Sequence, residues 1–290
     1  MPRSTINEDL NINRKARPLA PNSSISVNSD TGSDLNDGFT SSIASIEKLQ
    51  DILARYNFDN QYVTISISGS TLESTALDIN LSGVANIDTL EFNFGTRTEE
   101  VRFFNSMVPI KIKFTNFDGN DAGIFFAYCF DAEVGAGTSF RNVTSGSSIQ
   151  AFGCNRVRVG IIGYTNYNSS GDVIYIDSVN DFSYDPLSSP TAVGTVLRTT
   201  GYVGNIRLEN GTASITGQIL NIASSGVNIE YQGWAWTGTV ADTFPNFCVV
   251  NDVPKFSNLG IHVDDTAAGI AGLTQGDVYQ TAAGDLKVKL

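Results

Sequence analysis

"AYCFDAEVG" (127–135) and "FGCNRVRVG" (152–160) share one outline with the charges exchanged. Asp131 and Glu133 in the first stretch stand where Arg156 and Arg158 stand in the second, each pair just downstream of a cysteine. Equivalent residues of parallel strands stacked in register lie roughly 4.8 Å apart, close enough for like charges to repel and opposite charges to attract. The two stretches therefore read as neighbouring rungs of one stack.

Working outward from them, the same short polar/apolar pattern recurs from Tyr62 onward. Its first inward residues are Val63, Ile87, Ile110, Ala132, Val157, Phe182, Ile206, Ile229 and Val253. So regular a step of unlike sequences on a like hydrophobic pattern points to a solenoid with one coil per repeat, about nine coils in all. The residues directly after these anchors are polar except Pro254. Among them Asp88, Lys111, Glu133 and Arg158 alternate in sign up one outward column, and Asp131, Arg156 and Asp181 alternate up the column just before the anchors. Each such pair contributes only about 0.2 to 1 kcal/mol, so the ladders select register more than they stabilise. Cys129 and Cys154 fall on the inward side of adjacent coils and are expected to be buried free thiols.

The totals agree with an all-β chain. Of the 290 residues, 27 are glycine and only 17% are charged, a profile suited to short strands and tight turns and poor for helix bundles. A formal charge of -12 repels a phosphate backbone, so nucleic acid is not an expected partner. The 3 cysteines include no CxxC spacing, which argues against a zinc site or disulfide framework and for a compartment where thiols stay reduced. No cofactor or metal is expected. The start "MPRSTINEDL" has no apolar signal-like core, and no apolar run approaches the roughly 20 residues a bilayer needs, so synthesis in the cytoplasm without membrane insertion is the expectation.

Four segments follow. Residues 1–24 form an arm that carries Arg3, Arg14, Lys15 and Arg17 on an otherwise acidic chain and need not pack on its own core. Residues 25–61 hold a short strand, a turn-rich loop and one helix. In the loop, Asp30, Asp34, Asn36 and Asp37 suit Asx-turns better than a calcium site, because the later spacing of an EF-hand is missing. The helix runs over 43–56, with Ile43, Ile46, Leu49, Ile52, Leu53 and Tyr56 on one face and Ser41 or Ser42 at its start. Residues 62–256 are the solenoid. Residues 257–290 end in "DVYQT" and "DLKVKL", a hairpin about the turn "AAG".

This plan resembles the right-handed parallel β-helix of pectate-lyase-like proteins and phage tailspikes. "SVNSDTGSDLNDGFTSSIASIEKLQDIL" (26–53) looks like the strand, GSDxNDG loop and capping helix that open many β-helix proteins. "AAGIAGLTQGDVYQTAAGDLKVKL" (267–290) is similar to endings found in phage tail and head-fibre proteins. The resemblance implies a homotrimeric tailspike or tail fibre subunit of the virion tail. The arm would dock on a tail, baseplate or adaptor protein, and the outer surface would bind a host-surface polysaccharide or other receptor during adsorption. It also implies two alternatives: a polysaccharide depolymerase, hydrolase or lyase, on the same fold, and a head fibre or capsid decoration protein.

The residues offer little catalysis. A lone histidine, His262, excludes sites that need two. Glycoside cleavage requires two carboxylates, and the candidates are Asp177, which lies outside both ladders, and Asp181. Tyr231, Trp234 and Trp236 in "YQGWAWTG" are the candidate receptor-binding residues, since an extended chain puts both indoles on one face, suited to a pyranose or to an interface between chains.

Overall fold

The structure, a computed structural model, describes residues 18–160, 162–188, 190, 193–224, 226–245, 247–251, 253–256, 267, 278–280 and 286–288. The basic residues of the arm, His262 and most of the C-terminal segment lie outside the described residues.

The chain winds as a parallel β-solenoid of about eight turns. Most coils place strands on three faces. One coil runs through Asp131–Val134, Ser139–Arg141 and Ile149–Phe152; the next repeats this with Arg156–Gly160, Gly163–Thr165 and the first part of Asp172–Asp185. Every one of these strands pairs in parallel with its equivalent. The face holding Asp131–Val134 and Arg156–Gly160 is the ladder sheet, and that holding Ile149–Phe152 is here the second sheet. Inside, equivalent side chains stack: Phe117, Phe140 and Tyr164 with centroids 5.1 and 6.0 Å apart, and Phe103 and Phe126 at 5.6 Å, while Phe92 meets Phe103 edge-on across the core at 4.9 Å. All six are buried, and each buried Phe is worth about 3 to 5 kcal/mol against alanine.

The inward column of the ladder sheet is Val63, Leu90, Ile110, Ala132, Val157, Phe182, Ile206, Ile229 and Val250. Two of the nine anchors expected from the pattern are therefore corrected. Leu90, not Ile87, pairs with Val63 and Ile110; Ile87 pairs with Gln61, two residues before Val63, and one extra residue follows it in the register shift at Gln61/Tyr62. Val250, not Val253, pairs with Ile229. The chain reverses at Asn251, whose φ is 48°, and Val253–Phe256 runs back antiparallel to Phe247–Val250, which ends the parallel winding at Val250.

The corner between the second sheet and the ladder sheet is a column of left-handed residues: Asn105, Tyr128, Gly153, Ser178 and Gly201, with φ between 56° and 62°. Side chains at this corner are thrown outward, which is why Tyr128 is exposed; its ring lies over Gly153, where an added Cβ would come within 2.8 Å. Phe114 covers Gly137 in the same way at the next corner, at 2.6 Å. Amides stack at the remaining corner, after Ser139–Arg141 and Gly163–Thr165. Asn142 Nδ2 donates to Asp118 Oδ1 at 2.7 Å, and Asn166 Nδ2 donates to Asn142 Oδ1 at 3.1 Å. Cys129 and Cys154 are free and buried; the Cys154 contact and burial hold the Cys129 thiol well above its ordinary range.

The strand Ser24–Asn28 joins the stack by pairing with Thr64–Ser68. The helix is shorter than expected, Ile46–Arg55, and its N-cap is Ser45 rather than Ser41 or Ser42: Lys48 N donates to Ser45 Oγ at 3.2 Å. Ile43 is held extended by its bridge to Val27, and Asp34 takes the N–H groups of Ala44 and Ser45, each at 3.0 Å, so helical turns begin only after Ser45. Ile46, Leu49, Ile52 and Leu53 are buried. At the other end of the chain, Val278–Gln280 and Leu286–Val288 pair antiparallel as the expected hairpin.

The loop carboxylates act as turn acceptors. Asp37 takes the N–H groups of Thr40 at 2.8 Å and Phe39 at 2.9 Å and the Thr40 hydroxyl at 2.9 Å; the Thr40 backbone bond is the largest cause that brings its pKa down to about 2. A depressed folded pKa contributes stability that is present above the ordinary value of 3.8 and is lost as pH falls through about 2. Amide exchange at Phe39 and Thr40 should stay slow down to pH 3.8 and accelerate between there and pH 2; Asp37→Asn should remove that step.

Candidate functional site

The ladder expectation holds where the register is simple. Glu133 Oε1 meets Lys111 Nζ on one side, and its Oε2 lies 3.5 Å from Arg158 Nη2 on the other. Arg156 clamps Asp131 from the next coil, with Nε donating to Oδ1 at 3.1 Å and Nη2 to Oδ2, and Asp181 is the next residue up that column. Asp88 is a correction. Because Leu90 is the anchor, the residue opposite Lys111 is Glu91, and Asp88 instead accepts a hydrogen bond from the hydroxyl of its neighbour Thr89 at 3.3 Å. Glu91 also takes the Lys113 ammonium at 2.8 Å and the Tyr62 hydroxyl. Burial pulls the Glu91 carboxyl up, but the bonds from Lys113 and Tyr62 outweigh it and leave the group below its ordinary value.

Two outward columns of this sheet enclose a groove of about 380 Å³. One column is the ladder, with Lys111, Glu133, Arg158, Ser183 and Arg207. The other, two residues further along each strand, carries Lys113, Gly135, Gly160, Asp185 and Glu209. Gly135 and Gly160 form the floor. Neither has a left-handed φ, so backbone conformation does not demand glycine there; what they contribute is the absence of a side chain. A Cβ at Gly135 would meet Glu133 Oε1 at 3.0 Å, whereas one at Gly160 would meet nothing nearer than Asp185 at 3.9 Å. The volume lies within the range of small-molecule sites. The charged walls suit a polar ligand, and the run across adjacent coils suits an extended one.

The other expected site residues lie elsewhere. Asp177 is on the second sheet, where it accepts hydrogen bonds from Ser178 Oγ at 2.6 Å and Thr200 Oγ1 at 2.8 Å. Asp181 is on the ladder sheet beside Arg156, so the two carboxylates sit on different faces and neither lines the groove. The carboxyl groups pushed upward by burial, Glu100 and Asp242, lie outside it as well. Trp234 and Trp236 stack on each other, 4.4 Å apart and 11° from parallel, and both meet the buried Tyr184 ring at 5.7 and 6.0 Å. Trp236 is 8% exposed, and burial raises the Tyr231 phenol. These aromatics pack against the core rather than standing clear as a platform. The groove itself was missed in the sequence, although its signal is present: both "EVG" and "RVG" end on glycine at the same coil position.

Among the described residues no cluster of three His, Cys, Asp or Glu side chains could hold a metal, and no helix is long and apolar enough to cross a membrane. The chain matches no family model, no curated protein and no solved structure.

Asp131 is 4% exposed, so removing its clamp leaves a buried charge with only Arg158, at 3.4 Å, as its cation. Arg156→Leu should therefore destabilise by about 2 to 4 kcal/mol in urea melts, and Asp131→Asn combined with Arg156→Leu by clearly less than the single change.

Proposed function

We propose that the chain is a virion tailspike or tail fibre subunit that binds a host-surface glycan along the groove of the ladder sheet without cleaving it. The groove carries the reading: an open trough with a side-chain-free floor and charged walls, running across several coils of a rigid rod. A polysaccharide needs an elongated site of this kind, and a solenoid supplies one by repetition. The resemblance of residues 26–53 and 267–290 to the two ends of phage β-helix proteins is what supports reading that recognition as an event on a particle. In such a spike the helix Ile46–Arg55 would cover the first coil, whose open strand edge otherwise invites pairing. The hairpin would meet two sister chains in a homotrimer, and residues 1–24 would attach to the tail.

Depolymerisation is the weaker reading because Asp177 and Asp181 stand apart from the groove. A head fibre would present the same groove from a different docking site, and particle imaging with an antibody to the chain separates the two.

Light scattering should return three times 31.1 kDa; a monomer would count against the spike. Purified protein should retain envelope polysaccharide from a susceptible bacterium without releasing reducing ends. Gly160→Val, which fills the floor at a position with room for a side chain, should lower that retention at least about tenfold while leaving the melting temperature within a few degrees. Equal retention by the variant would remove the groove from the proposal.

A further inference from the structure

The groove is electrically divided along its length. At one end Lys111 and Lys113 present two ammonium groups, each with one carboxylate contact in the structure, Glu133 and Glu91 respectively. An ammonium carries three donors, so both retain hydrogen-bonding capacity toward a ligand. At the other end Asp185 and Glu209 follow one another on adjacent coils, since the register runs through Tyr184 and Leu208 just before them. Here the stack departs from its own rule: where the ladders set opposite signs one above the other, two carboxylates are stacked without a cation between them.

The cation nearest to hand is already engaged. Arg207 Nε bonds Glu230 at 3.0 Å and reaches Glu209 only at 3.9 Å. Asp185 takes a neutral donor, Asn210 Nδ2 at 3.1 Å, and no cation among the described residues lies within ion-pair distance of it. Like charges stacked directly in a sheet are unfavourable, and departures of this kind concentrate at functional sites. Between the two ends, the column of Lys113, Asp185 and Glu209 carries only Gly135 and Gly160, so no side chain of that column stands between Lys113 and Asp185. From Lys113 to Asp185 is three coil steps, about 14 Å.

We propose that the groove selects a zwitterionic glycan, with an acidic group held at Lys111 and Lys113 and a free ammonium held between Asp185 and Glu209. An extended glycan advances by roughly one coil spacing per sugar, so the two groups belong to sugars about three units apart. The ligand's ammonium would supply the cation that Asp185 lacks and that Glu209 shares with Glu230 through Arg207. This inference rests on the glycan-binding reading above and adds the charge of the ligand to it.

The test is isothermal titration of the full chain with a tetrasaccharide of alternating glucuronic acid and free-amine glucosamine. Its N-acetylated form lacks the cation, and its carboxyl-reduced form lacks the anion. The zwitterion should bind at least about fivefold more tightly than either. Asp185→Asn with Glu209→Gln should erase the difference made by N-acetylation and keep that made by carboxyl reduction; Lys113→Gln should weaken the second difference and keep the first. Asp88→Asn, outside the groove, should change neither. Equal binding of the three saccharides, binding of none, or N-acetylation that improves affinity in the native chain overturns the proposal. The reading beneath it fails separately, if Gly160→Val leaves retention of envelope polysaccharide unchanged.

Discussion

Each strand residue of the solenoid meets its own equivalent one coil away, about 4.8 Å along the axis, and nearly every other feature follows from that constraint. A stacked column multiplies whatever it contains. Apolar residues become continuous ring stacks such as Phe117, Phe140 and Tyr164, and the stacked amides Asn142 and Asn166 form a donor–acceptor chain that ends on Asp118. Charges of one sign would repel along the whole rod, so signs alternate. The left-handed corner is inherited as well: once Asn105 adopts it, Tyr128, Gly153, Ser178 and Gly201 do so in turn, because a coil that turned differently would lose its register with both neighbours.

That multiplication explains which parts of the fold were legible. Columns with a simple register, Lys111–Glu133–Arg158 and Asp131–Arg156–Asp181, could be read because each partner was separated by a nearly constant step and the sign order is improbable by chance. Asp88 failed because Ile87 and Leu90 offer two competing frames three residues apart. Only the longer alternation Leu90, Phe92, Phe94, all buried, identifies the frame that is used. Val253 failed for a related reason. A strand that turns back presents the same alternation as one that continues, and the tight reversal at Asn251 is a local backbone choice that periodicity does not register.

The site was less legible than the fold because periodicity reports what is inside. Trp234 and Trp236 alternate correctly for one face, but the pattern does not say whether that face is in or out; Tyr184 beneath them decides it. A groove is harder still, since it consists of missing side chains. Gly135 and Gly160 are visible in the sequence as a repeated final glycine, yet a glycine ending a strand ordinarily signals a turn. Only the backbone separates the two meanings: here φ is not left-handed, so the glycines are explained by the space above them.

The same constraint limits how a solenoid can carry a site. A pocket in a globular core is bounded by unrelated loops, whereas here any vacancy must be opened within a column, at the cost of contacts to two neighbours. Gly135 and Gly160 forgo those contacts in consecutive coils, and Asp185 and Glu209 add unfavourable charge in the next two. Both costs are small where solvent screens the surface, a fraction of a kcal/mol for the charges. They are tolerable because the inward column beneath, Val134, Val159, Tyr184 and Leu208, remains fully packed. Register is thus held from inside while the outer face varies, and position along the rod becomes the coordinate that specifies a ligand: which charge it carries, and how many coils away the next one must stand.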